Sequence, residues 1–165
     1  MINFIVAHDL DRGIGQEGKI PWHFKQDFQF FKDITMGGVC IMGRHTYDDI
    51  LSYMEKNGRS ELLPGRECLV LTSDPSKIKH ARAFDNTSHV LAYLDREVFI
   101  IGGASVYRQY KNLVDRMYVT TIRERYGCDR FFEYPDNFSK SFAIIEHTVI
   151  TEKDTALEFK TYERV

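Results

Sequence analysis

Short apolar runs alternate along the chain with stretches in which apolar residues recur every three or four positions. The runs are rich in β-branched and aromatic residues and predict buried strands, whereas the other spacing predicts amphipathic helices. The predicted strands are residues 2–7, 39–42, 67–71, 98–101 and 117–122. The predicted helices are residues 24–34, which Gly37-Gly38 ends, and then residues 46–53 and 104–113.

The end of the chain has a different pattern. Residues 142–146 and 157–163 are apolar runs with no helical spacing between them, which predicts an antiparallel pair at one edge of a sheet. The earlier alternation predicts β-α-β crossovers, so the sheet should be mostly parallel with helices on both faces. Residues 53–62 are the most loop-like interior segment, and no linker or repeat divides the 165 residues. We therefore expect one α/β domain.

Composition excludes several classes of partner. The 22 Lys and Arg against 24 Asp and Glu give a formal net charge of −2, which favours neither nucleic acid nor an anionic membrane surface. No apolar run approaches the roughly 20 residues that span a bilayer, and the first residues lack the pattern of a signal peptide. Cys40, Cys68 and Cys128 are odd in number and widely spaced. We expect reduced thiols, no metal site and a cytoplasmic protein.

Two glycine-bearing segments are candidates for binding phosphate. Met42-Gly43-Arg44-His45-Thr46 and Ile101-Gly102-Gly103-Ala104-Ser105-Val106-Tyr107 each connect a predicted strand to a predicted helix. Backbone N–H groups at a helix start attract anions, and glycine allows close approach of a ligand. Each segment alone is equally compatible with an ordinary strand-to-helix turn, and neither is a Rossmann fingerprint. Together they favour a long ligand with several phosphates, such as a dinucleotide.

Asp27 is the more informative residue. It lies within the helical pattern of Phe24, Phe28 and Phe31, where burying an unpaired carboxylate would cost free energy. One interpretation is a carboxylate that binds a cationic or amidine-like ligand edge in an apolar pocket. The other is an aspartate near a helix start that interacts with the helix dipole.

The ordered set of motifs resembles the dihydrofolate reductase family over essentially the whole chain, and the small bacterial type most of all. The motifs are Ile14-Gly15, Pro21-Trp22, Asp27, Phe31, Met42-Gly43-Arg44-His45-Thr46, Leu63-Pro64-Gly65-Arg66, Ile101-Gly102-Gly103, Val106-Tyr107 and Thr120. The resemblance implies a three-layer α/β fold, with a central mixed sheet of about eight strands, about four helices and a C-terminal antiparallel hairpin. It also implies one domain over residues 1–165, with an adenosine-binding subdomain at roughly 38–95.

The same resemblance implies NADPH-dependent reduction of 7,8-dihydrofolate to tetrahydrofolate by a monomer. Asp27 would bind the pterin, with Thr120 as its hydrogen-bonding partner, Trp22 holding a water beside it, and Tyr107 completing the catalytic group. Inhibitors of the trimethoprim and methotrexate type would bind at the same place. The implied substrate-binding residues are Ile5, Ala7, Asp27, Phe28, Phe31, Lys32, Ile50, Leu63, Arg66, Ile101 and Thr120, with Arg66 as receptor for the glutamate α-carboxylate.

On the cofactor side, the resemblance implies that Arg44 and Ser73 contact the adenosine 2′-phosphate of NADPH. It also implies that residues 13–19 form a loop over the nicotinamide, steadied by Asp129. The implied cofactor-binding residues are Ala7, Gly13, Ile14, Gly15, Gly18, Lys19, Gly43, Arg44, His45, Thr46, Leu71, Thr72, Ser73, Gly102, Gly103, Ala104, Ser105, Val106, Tyr107 and Gln109.

Several positions depart from the family pattern. Ser105 stands where many members have Arg, Phe28 replaces a common Leu, and residues 51–62 are longer than in the shortest relatives. Asp154 lies in the last hairpin, near the place of a small hydroxyl residue. Two alternatives remain at this stage: a riboflavin-precursor reductase of the same fold, and a non-catalytic NADP-binding module.

Overall fold

The computed structural model describes residues 1–165 as ten strands, four α-helices and two 3-10 segments. The strands are β1 (Ile2–His8), β2 (Gly13–Gly15), β3 (Val39–Gly43), β4 (Glu67–Leu71), β5 (Arg82–Phe84), β6 (Val98–Ile100), β7 (Arg116–Ile122), β8 (Arg130–Phe131), β9 (Phe142–Glu152) and β10 (Thr155–Arg164). The helices are α1 (Lys25–Thr35), α2 (Arg44–Lys56), α3 (Ala104–Tyr110) and α4 (Phe138–Ser141), and the 3-10 segments are Pro75–Lys77 and Thr87–Tyr93.

Eight strands form one sheet in the order β5-β4-β3-β6-β1-β7-β10-β9. The first six in this order run parallel, β10 is antiparallel to β7, and β9 is antiparallel to β10. The short strands β2 and β8 pair separately. This topology confirms the predicted mostly parallel mixed sheet and its C-terminal antiparallel pair.

Side chains from alternate positions of each strand pack against opposite faces of the sheet. On one face, Phe4 and Val6 of β1 join a cluster that includes Val106 and Tyr110 of α3. On the other face, Ile5 belongs to a cluster that contains buried residues of α2 and partly buried residues of α1. Both faces are therefore covered, which explains why the central strands are continuous apolar runs. The arrangement has the three layers that were predicted.

Some predicted boundaries were wrong. Helix α2 begins two residues earlier and continues to Lys56, so part of the segment predicted to be a loop is helical. The apolar pattern did not predict the first and last turns of α2 because their outer residues are polar. Gly58, with φ 61°, follows the end of the helix. β9 and β10 are longer than predicted because a two-residue turn, Lys153-Asp154, lets them pair almost to the tip.

The carboxyl ends of the parallel strands share one edge of the sheet, where open α/β sheets bind ligands. Along this edge the chain places Thr72 after β4, Gly43 at the end of β3, Ile101 after β6, Ala7 on β1 and Thr120 on β7. None of the helices combines the length and apolar character needed to cross a membrane.

Candidate active site

Two glycine segments meet at the carboxyl edge of the sheet. The Gly43 N–H donates a hydrogen bond to the Gly102 carbonyl oxygen at 2.8 Å. Helix α2 starts directly after Gly43 and helix α3 directly after Gly103, and neither N-terminus has a side-chain cap. The first N–H groups of both helices therefore remain available at neighbouring places, as an anionic ligand requires.

The space beside these glycines is narrow. A Cβ on Gly43 would lie 2.8 Å from Cγ2 of Val106, and one on Gly102 would lie 3.6 Å from the Thr46 hydroxyl oxygen. Gly102 has φ +121°, a conformation that L side chains rarely adopt, and the Gly102–Gly103 peptide bond is cis. Glycine at position 43 therefore lets α3 pack against the end of β3, and glycine at position 102 allows the positive φ.

Arg44 and Ser73 follow adjacent strands, since β3 and β4 are register neighbours. The Arg44 guanidinium donates from Nε to the Asp48 carboxylate at 3.1 Å, and both side chains are partly exposed. This pair leaves the other guanidinium nitrogens free to bind an anion while Asp48 orients the group. At the α3 start, Ser105 supplies a hydroxyl that accepts a hydrogen bond from Gln109 at 3.3 Å, so no cation is added there.

Asp27 lies in the first turn of α1, where the helix covers the sheet. The pKa of its carboxyl is raised to about 6, mainly by burial and also by the charge of Glu152. A hydrogen bond from Thr120 acts in the opposite direction and lowers this pKa. Tyr107 is buried, and its hydroxyl donates to the Ile5 carbonyl oxygen at 2.7 Å; burial and the charge of Asp27 raise the pKa of this hydroxyl. The structure therefore brings Asp27, Thr120 and Tyr107 together, although they come from three separate elements.

Apolar side chains form the wall next to this carboxyl. Phe31, Ile50, Leu63 and Ile101 are partly buried against the cluster that contains Ile5. Phe28 lies elsewhere: half of its surface is exposed and its ring centroid is 4.8 Å from that of His23. Four of the predicted apolar residues thus pack into this cluster, and Phe28 does not.

Arg66 lies at the far end of the wall. Its Nη1 donates to the Thr35 hydroxyl at 3.2 Å, its Nε donates to the Pro64 carbonyl at 3.1 Å, and its guanidinium carbon is 5.9 Å from the Phe31 ring centroid. These contacts hold a half-buried cation beside the end of α1. Lys32 of the same helix is exposed.

The loop after β1 is tied to a second loop. β2 pairs with β8, and the Glu17 N–H donates to the Asp129 carboxylate at 3.0 Å. Trp22, which follows the loop, packs against Tyr126 with the ring centroids 5.1 Å apart. Gly18 has φ +78° with nothing within 4 Å of the position of a Cβ, so the loop tip is open.

Sequence reasoning missed Asp9, a fully buried carboxylate at the end of β1. It accepts hydrogen bonds from the N–H groups of Gly13 at 2.7 Å, Asp11 at 2.9 Å and Tyr126 at 3.1 Å. Burial alone would raise its pKa, but these bonds together bring the pKa below the usual range. Asp9 therefore joins the start of the loop to the segment that contacts Trp22. An aspartate four residues before a turn glycine was the available signal.

A sequence profile described as dihydrofolate reductase matches residues 1–164. The chain belongs to the dihydrofolate reductase family. It is 35% identical over 168 residues to dihydrofolate reductase of Bacillus subtilis strain 168, covering 99% of this chain and 95% of that one. It is 34% identical over 131 residues to the Staphylococcus aureus enzyme, covering 79% and 77%.

A solved structure of the same family has a similar fold. Enterococcus faecalis dihydrofolate reductase, complexed with NADP(H) and RAB-propyl, aligns with a TM-score of 0.84 and 29% identity over 99% of this chain and 96% of that one. Dihydrofolate reductases catalyse the NADPH-dependent reduction of 7,8-dihydrofolate to 5,6,7,8-tetrahydrofolate, and this chain is an oxidoreductase of that kind. The riboflavin-precursor alternative is thereby set aside.

The raised pKa of Asp27 predicts a cost in stability. Its pKa is about 6 in the folded protein, against an ordinary value of 3.8. Between these values the folded protein keeps a proton that the unfolded chain has lost, so stability falls as pH rises through this window, by at most about 3 kcal/mol. Asp27→Asn removes this penalty and should raise the free energy of unfolding near pH 8 by about 1–3 kcal/mol, with little gain near pH 4.

Urea unfolding at the two pH values measures the difference. Asp33→Asn, an exposed change on the same helix, is the matched control and should alter stability equally little at both pH values. A gain from Asp27→Asn that is the same at both pH values would contradict the assignment.

Proposed function

We propose that Asp27 is the catalytic carboxylate of this dihydrofolate reductase, and that the glycine-lined edge holds NADPH beside it. The observation that carries the proposal is a single carboxyl with a pKa of about 6, next to an apolar wall and the uncapped starts of two helices. A structural aspartate at a helix start would gain from ionisation, whereas this carboxyl has its pKa raised.

Asp27 would bind the pterin through paired hydrogen bonds to its ring N–H and 2-amino group. Thr120 orients the carboxyl, and Tyr107 holds the Ile5 carbonyl in place through its hydroxyl. Trp22, packed on Tyr126, would position a water next to the substrate. The proposed apolar contacts are the four wall residues Phe31, Ile50, Leu63 and Ile101, together with Ile5 and Ala7 of β1 and Phe28, whose ring lies outside the wall beside His23. Arg66 would receive the glutamate α-carboxylate, with Lys32 nearby on the rim.

The reaction also requires a proton at N5 of the pterin, and we assign its delivery to water. Asp27 would favour the protonated substrate electrostatically, because a carboxylate in a poorly hydrated place stabilises a nearby positive charge more than water does. Residues 13–19 would close over the site and exclude bulk water, with the Glu17–Asp129 hydrogen bond and the Asp9 carboxylate fixing the two loops.

When bound, NADPH supplies the hydride. The helix starts after Gly43 and Gly103 would hold its pyrophosphate, and Arg44 and Ser73 its 2′-phosphate. The remaining proposed contacts are Ala7, Gly13, Ile14, Gly15, Gly18, Lys19, His45, Thr46, Leu71, Thr72, Gly102, Ala104, Ser105, Val106, Tyr107 and Gln109. Residues 38–95, which contain β3, α2, β4 and β5, would form the adenosine-binding part of a single domain.

We propose further that the protein acts as a cytoplasmic monomer. One chain supplies every residue proposed for both ligands, and its three cysteines are unpaired, as is usual in a reducing compartment. The family binds dihydrofolate and antifolates, and inhibitors of the trimethoprim and methotrexate type would occupy the pterin side. Light scattering should give the mass of one chain, 19.3 kDa; twice that mass would contradict the monomer.

The purified protein should oxidise NADPH when dihydrofolate is added, seen as a loss of absorbance of the reduced nicotinamide. Asp27→Asn should lower kcat near neutral pH by about a hundredfold or more, as for loss of a proton-handling group. Activity should recover in part at acid pH, where the substrate protonates without help. Absence of turnover by the wild type would support the alternative of a non-catalytic NADP-binding module. A pH profile in Asp27→Asn that equals that of the wild type would contradict the catalytic role of Asp27.

Arg44→Ala tests the 2′-phosphate site. Loss of a charge-assisted contact to phosphate should weaken NADPH by about tenfold to a hundredfold while leaving NADH nearly unchanged, because only NADPH carries that phosphate. Fluorescence titration with each cofactor measures this. Arg82→Ala, an exposed change on neighbouring β5, is the control. Equally weaker binding of NADPH and NADH would contradict a contact between Arg44 and the 2′-phosphate.

A further inference from the structure

Helix α1 begins without a cap of its own. Its N-cap residue, Phe24, makes no side-chain hydrogen bond to the helix, and the preceding residues, Trp22 and His23, are not the short polar types that cap helices. The first N–H groups of a helix have no intrahelical acceptor, so they need partners from another part of the molecule.

The distant residue Glu152 provides both partners. Its Oε2 accepts a hydrogen bond from the Lys25 N–H at 2.8 Å and its Oε1 accepts one from the Gln26 N–H at 2.9 Å, across 127 and 126 positions of sequence. These bonds, with the charges of Lys153 and Lys25, hold the pKa of Glu152 below its usual range. The carboxylate is therefore ionised at neutral pH, at the end of the helix dipole that favours a negative charge.

The turn of the β9–β10 hairpin adds a second attachment. Lys153 donates from Nζ to the His23 carbonyl oxygen at 2.6 Å and lies 5.6 Å from the Phe24 ring centroid. The hairpin tip thus contacts the residues before α1 as well as its first two N–H groups. The start of the helix cannot shift without breaking several of these contacts.

Asp27 follows Gln26 directly. Because the Glu152 carboxylate is bound to the N–H groups of the two residues before Asp27, its charge lies at the same helical turn. The other groups that interact with the Asp27 carboxyl are Tyr107 of α3 and the neutral hydroxyl of Thr120 on β7. Of the three groups, only Glu152 is charged near neutral pH, and like charges favour the protonated form of the weaker acid.

We propose that Glu152 is a positioning residue for the reaction: it fixes the first turn of α1, and hence the Asp27 carboxyl, and its negative charge favours the protonated form of Asp27. The proposal rests on the role of Asp27 given above. It assigns to the last hairpin a direct influence on proton handling, although no residue of that hairpin belongs to the proposed substrate or cofactor contacts.

The test compares two changes at Glu152. Glu152→Gln removes the negative charge and keeps one acceptor oxygen, whereas Glu152→Ala removes the charge and every side-chain acceptor. In Glu152→Gln the midpoint of the pH profile for single-turnover hydride transfer should fall by about half a pH unit, the size expected for one charge about a helical turn away. The rate above both midpoints should then be about threefold lower, because a site with one negative charge fewer holds the proton that the substrate takes up less tightly. Glu146→Gln, the same change on an exposed part of β9, should leave the profile unchanged.

Two readouts do not depend on turnover. Carbon-13 NMR of the Asp27 carboxyl in the whole protein should show the same downward shift of its midpoint in Glu152→Gln. Amide exchange at Lys25 and Gln26 should be faster in Glu152→Ala than in the wild type, with exchange in α2 unchanged. These measurements keep the test usable if a variant loses stability.

The outcomes separate the two proposals. A wild-type pH profile and a wild-type Asp27 midpoint in Glu152→Gln, together with the expected loss in Asp27→Asn, would overturn the role of Glu152 alone. A shift of equal size in Glu146→Gln would also overturn it, because net charge would then be the cause. If Asp27→Asn behaves like the wild type, the proposed function itself fails.

Discussion

The two proposed ligand sites depend on one close approach of backbone, the hydrogen bond from the Gly43 N–H to the Gly102 carbonyl oxygen. It joins the end of β3 to the residue pair after β6, and it brings the starts of α2 and α3 to the same edge of the sheet. A side chain on Gly43 would meet Val106 and push α3 away. Because α3 also carries Tyr107, whose hydroxyl donates to the Ile5 carbonyl oxygen, a shift of α3 would disturb the proposed pterin site too.

The site is held together at some cost in folding free energy. Ionising a carboxyl whose pKa is about 6 costs free energy in the folded protein, because the buried charge has lost its hydration. The surrounding contacts limit this cost without removing it, since Thr120 stabilises the ionised form and Glu152 opposes it. The balance between these two neighbours keeps the pKa of the carboxyl near neutral pH, which would suit the role proposed for Asp27 in proton uptake by the substrate.

Much of the fold could be predicted because apolar pattern and burial coincide. Strand β4 occupies residues 67–71 as predicted, since a buried run stands between polar neighbours there. The polar outer turns of α2 and the short strands β2 and β8 carry no such pattern and were missed or misplaced. Asp27 and the glycines of the proposed site could be identified from the sequence. An aspartate is unusual within an apolar helical pattern, and so are glycines directly between a strand and a helix. Phe28 fits the helical pattern of apolar residues, yet it is half exposed and its ring packs on His23, which the pattern does not indicate.

Glu152, proposed above as a positioning residue, could not be predicted from the sequence. Its partners are more than a hundred positions away, and a glutamate at the end of a strand has nothing unusual in its local sequence. What directs it is the turn that follows, where Lys153 and Asp154 both have positive φ, 53° and 63°. Turns of this hand match the twist of a two-residue hairpin, and they keep β9 and β10 paired up to Glu152 and Thr155. The strand therefore reaches α1 as a rigid ribbon, and a flexible loop at the same place would lose the cap to conformational entropy.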